Sequence, residues 1–227
     1  MWDRPGRDAR RRSTARALVV VLLLGTVGVT TGAQTRQRKR PPPPPATRKE
    51  APKFICPARV GPGVRTARVF CDVLTGANPE DGILIAIPPH TGPVTLTFDL
   101  HARHTYSEEL TKAGRAFARY TATAGILTMN NDLVQRAVVL AEFRTIKDAF
   151  DRIGGGAGPG GVKAIVPVGI EPVKVTLDVA LEQVSLLGEK VRMARVDGES
   201  TLSTAGQPVA LVSNLQIEYR PKPPPKR

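Results

Sequence analysis

The stretch Pro93-Val94-Thr95-Leu96-Thr97-Phe98-Asp99-Leu100-His101-Ala102-Arg103-His104 alternates with a period of two. Val94, Leu96, Phe98, Leu100 and Ala102 share one side. Thr95, Thr97, Asp99, His101 and Arg103 share the other, which is the pattern of a strand with one dry and one wet face. Alternation of this kind is the habit of antiparallel sheets. Two further stretches repeat it: Val173, Val175, Leu177, Val179 and Leu181 on one side of their segment, and Val209, Leu211, Leu215, Ile217 and Tyr219 on one side of theirs.

Short apolar runs between Gly- and Pro-rich joints extend the pattern. They predict strands over Phe54–Val60, Arg65–Leu74, Ile83–Ile87, Val94–Ala102, Arg115–Met129, Leu133–Arg144, Val162–Val168, Val173–Leu181, Lys190–Val196 and Val209–Tyr219. Only Thr145 to Ile153 has helical spacing, with Ile146, Ala149, Phe150 and Ile153 at i, i+3, i+4 and i+7. The expected fold is therefore all-β: a two-sheet antiparallel β-sandwich, immunoglobulin-like or related, with one short helix.

The folded domain is expected over residues 54–219. Before it, residues 1–33 have the layout of a secretory signal: six arginines from Arg4 to Arg16, an apolar run from Ala17 to Val29, and small residues ending at Ala33. That run is short against the roughly twenty residues of a membrane span, so no stable transmembrane segment is expected. Residues 34–53, which include five consecutive prolines from Pro41, read as a disordered basic linker, and residues 220–227 as a disordered basic tail. The chain is thus expected to be secreted or periplasmic, exported by a bacterium.

Net charge is +13, but residues 1–53 carry +10, residues 220–227 carry +4, and residues 54–219 carry −1. A body that gripped phosphate backbones would itself be basic, so specific nucleic-acid binding is not expected. The basic ends suit anionic envelope polymers or lipids instead. Cys56 and Cys71 predict a disulfide in an oxidising compartment. A hairpin turning between Gly63 and Val64 would place them opposite each other, and closing that loop stabilises by about 3 kcal/mol in the chain-entropy treatment.

Candidate binding residues gather on the opening stretch: Asp99, His101, Arg103, His104 and the nearby Tyr106. Asp99 and His101 project from one face about 7 Å apart. His104 belongs to the other face if the strand runs on, and His90 sits in the preceding loop, so a common ion is not expected. The glycines at 156, 158 and 161 match a dinucleotide fingerprint in letters only, because a helix precedes them and a strand follows. They read instead as a loop. No GxSxG or HExxH is present. No catalytic residue, metal ligand or cofactor is assigned. The reading is an exported non-enzymatic β-sandwich that binds or builds in a bacterial envelope or periplasm. The alternatives are a metal-dependent enzyme near Asp99 and His101, or a lipid or glycan carrier.

Overall fold

The computed structural model describes residues 46–223, which fall in one compact unit, Pro43–Arg227. The expected signal over residues 1–33, most of the expected linker and the last four residues lie outside the described residues. In chain order the elements are β1 (Arg48–Glu50), β2 (Phe54–Ile55), β3 (Arg59–Pro62), β4 (Val69–Leu74), β5 (Ile83–Ala86) and β6 (Val94–Ser107). A single-turn helix, α1 (Glu108–Lys112), comes next, then β7 (Ala118–Thr128), β8 (Leu133–Phe143), β9 (Ile153–Gly158) and β10 (Gly161–Leu177). The chain closes with β11 (Gln183–Arg195), β12 (Gly198–Leu202) and β13 (Pro208–Tyr219).

The protein is mostly β, in two antiparallel sheets. The first runs β3-β4-β13-β6-β10-β9, with β1 also on β13. The second runs β2-β5-β11-β7-β8, with β12 also on β11. Both contribute to one aliphatic core. Leu96, Phe98, Val175 and Ile217 from the first sheet cluster with Ile85, Ile126, Val139 and Leu186 from the second. The even-numbered residues of the opening stretch, Val94 to Ala102, are all buried in this core. Removing that much apolar area from water is the main stabilising term.

The expected helix over Thr145–Ile153 does not form. One 3-10 turn, Ile146–Asp148, is closed by the Asp148 carboxylate, which accepts from the amides of Arg144 (2.8 Å) and Thr145 (2.7 Å). The chain then goes extended at Ala149, whose ψ is 120°. Phe150 donates its N–H to Pro167 O (2.8 Å), and Ile153 bridges to Gly63. Nine residues are too few to hold a helix by propensity, so tertiary partners decide the conformation. The helix that does form, α1, lies between the expected strands Val94–Ala102 and Arg115–Met129. Ser107 accepts from the Leu110 amide (3.4 Å), and Glu108 pairs with Lys112 (2.8 Å).

Other boundaries move for local reasons. Val162–Val168 and Val173–Leu181 are one strand, β10, interrupted by a bulge between Val168 and Glu171 and ending at Leu177. A second bulge, between Ser213 and Gln216 in β13, breaks the single-face reading there. Leu211 now pairs opposite His101, whereas Ile217 pairs opposite Leu96 on the core side. The glycine run, expected as a loop, is an edge strand, β9, hairpinned to β10, and β12 pairs with β11 beyond the expected strands. Residues 48–50, assigned to the linker by composition, are strand β1 on β13, and Pro221 of the tail bridges to His90.

The disulfide between Cys56 and Cys71 is present, with Cα atoms 6.0 Å apart, but the expected register is wrong. Arg59, not Cys56, pairs with Cys71, and the turn spans Gly63–Arg68. Cys56 directly follows β2 in the second sheet, while Cys71 lies on β4 in the first. The bond therefore links the sheets rather than the arms of one hairpin.

Candidate functional site

Asp99, His101 and Arg103 do share the outer face of β6, but each is absorbed by a partner. Asp99 pairs with Arg68 (2.7 Å) and accepts from Asn214 Nδ2 (3.1 Å), which the β13 bulge turns towards it. Arg103 pairs with Asp72 (2.8 Å). Burial raises the Asp72 pKa, and the Arg103 charge opposes that rise. His101, read as a wet-face residue, is 0% exposed. A second, smaller cluster of Phe70, Leu211 and Ile153, with Phe150 packed on it, covers this part of the sheet. Phe150 stacks on the His101 ring at 5.0 Å, and Phe70 meets it edge-on at 5.5 Å.

His101 is fully hydrogen-bonded. Nδ1–H donates to Gly169 O (2.7 Å), a carbonyl presented by the β10 bulge, and Nε2 accepts from Ser213 Oγ–H (2.9 Å). Burial lowers its pKa, with the Gly169 bond opposing, so the neutral ring is favoured. The chemistry resembles a serine with its general base, yet Ser213 is also buried and Phe150 lies over the histidine. With both nitrogens engaged, the ring has no lone pair to offer a metal. Among the described residues, no group of three or more His, Cys, Asp and Glu is placed to hold an ion.

The segment that lays Phe150 on His101 is tied to the Gly63–Arg68 turn by Asp151. Its carboxylate accepts from the amides of Arg65 (2.9 Å), Thr66 (2.9 Å) and Arg152 (2.7 Å), and from the Thr66 hydroxyl. Burial pushes its pKa up, but these bonds outweigh that and hold it at about 2. The Arg68 guanidinium lies 5.1 Å from the Phe150 ring on a cation–π contact, and Arg65 donates to Phe150 O.

His104 stands apart from this group. β6 runs on to Ser107, so His104 falls on the core side. Nδ1 is 2.6 Å from Tyr120 Oη, and the ring stacks on Phe143 at 3.9 Å. In the arrangement that uses the phenol proton, Tyr120 donates to Nδ1 and Nε2 carries the hydrogen. Nε2 has no partner among the described residues. Burial lowers the His104 pKa to about 4, with the Arg195 charge adding, and burial raises Tyr120 to about 12.

His104, Tyr106 and Tyr120 line a cleft of about 530 Å³ where the ends of β6, β7, β10 and β11 meet. Three cations from three different parts of the chain line it as well: Arg115, Lys163 and Arg195. Glu109 and Asp197 are the acids among its lining residues. None of the three cations forms an ion pair among the described residues, whereas Arg68, Arg103, Arg119 and Arg136 all do. Sequence reasoning named His104 and Tyr106 but missed Tyr120 and the three cations. They are scattered over eighty residues and share no motif, so only the meeting of strand ends brings them together.

No protein-family model matches the chain, and no curated protein matches it. Among solved structures, the chain is similar to the catalytic domain of GH87 alpha-1,3-glucanase in complex with nigerose, at 12% identity and a TM-score of 0.23. That alignment covers 80% of this chain and 27% of the other. A likeness that slight carries no argument for fold or activity.

Proposed function

We propose that this is an exported, non-enzymatic protein that binds or builds in a bacterial cell envelope or periplasm. Its body is read as an immunoglobulin-like or related β-sandwich. Its basic, proline-rich ends hold it to anionic polymers or lipid head groups. The observation that carries this reading is the contrast between body and ends. Asp99 and Arg103 are paired, and His101 is hydrogen-bonded and covered. The surplus positive charge lies in residues 1–53 and 220–227. A disulfide is compatible with an oxidising compartment.

Attraction through the basic ends is electrostatic and screened within about 8 Å at physiological salt. Co-sedimentation of the mature protein with phosphatidylglycerol vesicles and with isolated cell walls tests it. Binding should fall steeply with added salt. It should also be lost when Arg36, Arg38, Lys39, Arg40, Lys222, Lys226 and Arg227 are changed to Gln. Salt-resistant binding that survives those changes would overturn the reading.

A further inference from the structure

We propose that the cleft at the ends of β6, β7, β10 and β11 binds a small organic carboxylate, held between Arg115, Lys163 and Arg195. This site lies on the body and does not depend on the basic ends. Its volume of about 530 Å³ falls within the range of roughly 300–1,000 Å³ common for small-molecule sites. Cations elsewhere on β6 and β7 are matched to carboxylates, Arg103 to Asp72 and Arg119 to Glu142. The three at this cleft are not, among the described residues. Glu109 and Asp197 leave the lining with one net positive charge, which fits a monoanion better than a phosphate dianion. A guanidinium presents its N–H groups in a fork that matches a carboxylate.

The rest of the lining suits a cyclic body attached to that carboxylate. Tyr106, Phe117 and Tyr120 offer aromatic surface. The His104 ring belongs to the same lining, and its Nε2 is a buried polar atom without a partner among the described residues, where most such atoms have one. Arg195, Thr105 and Tyr120 also line a smaller recess of about 210 Å³.

The test follows the His104 ring by NMR while glucuronate or benzoate is added, with glucose and benzamide as their neutral counterparts. Titration to about 10 mM nearly fills even a millimolar site. A saturable shift of the His104 resonances with at least one of the two acids, and none with the neutral compounds, is expected. Arg195→Gln should weaken it about tenfold, as for loss of a charged hydrogen bond. Arg192→Gln removes the same charge from the same strand outside the cleft and should change it less than about twofold. The variant with neutralised ends should bind unchanged, which separates this site from the envelope reading. No saturable shift with either acid, equal shifts with the neutral compounds, or equal behaviour of the two arginine variants would overturn the proposal.

Discussion

At the scale of single residues, the informative groups are histidines held neutral by burial. His104 titrates at about 4 in the folded protein, against about 6.5 when unfolded. Between those values the unfolded chain takes up a proton that the folded chain refuses, so stability falls as pH drops from about 6.5 to about 4 and levels off below. The His104 share is about 3 kcal/mol, and His101, shifted the same way, adds to it. Urea midpoints at neutral pH and near pH 4 measure this. Tyr120→Phe strands Nδ1 of His104 and should cost about 1–3 kcal/mol at neutral pH. His104→Phe combined with Tyr120→Phe removes both partners. That pair should cost less than the single change and should flatten the acid dependence. A double variant as pH-sensitive as the parent would contradict the assignment.

Among elements, the segment from Arg144 to Ile153 shows where periodicity misleads. Its apolar residues have helical spacing, yet Ile146 is 52% exposed and Phe150 lies flat on His101. Two aspartates make the difference. Asp148 closes a single turn on itself, and Asp151 reaches across to the Gly63–Arg68 turn. Asp151→Ala should cost about 3 kcal/mol, because it orphans several donors to a charged acceptor at once. Hydrogen exchange should then quicken at residues 63–68 and 146–153 and not in the second sheet. Equal quickening everywhere would show that the segment is not a separate unit. The neighbouring glycine has a matching role: a Cβ at Gly63 would overlap the Asp151 carboxylate, so Gly63→Ala should mimic Asp151→Ala. Gly169 adopts φ +68° in the β10 bulge and delivers its carbonyl to His101. Neither need was legible in advance, because a glycine's letter does not say which distant atom approaches it. The α1 turn was legible in part, since Ser107 followed by Glu108 and Glu109, with Lys112 beyond, has the layout of a capped first turn.

Across the whole molecule, the disulfide links the segment after β2 to β4 and so couples the two sheets. Replacing both cysteines by serine should lower stability by about 3 kcal/mol. The parent under reductant should show the same fall in urea midpoint, and no fall in either would remove the staple from the account. If residues 1–33 are a cleaved signal, mass spectrometry of the protein from its native host should find Gln34 at the N-terminus. Strand content, the dry face of β6 and the pairing of the cysteines followed from the sequence alone. They rest on alternation and composition, which act over a few residues whatever the rest of the chain does. The covering of His101, the fate of the Arg144–Ile153 segment and the gathering of Arg115, Lys163 and Arg195 at one cleft were decided only by tertiary structure. Each depends on which strand ends meet and where a bulge turns the backbone, and those contacts join residues tens of positions apart.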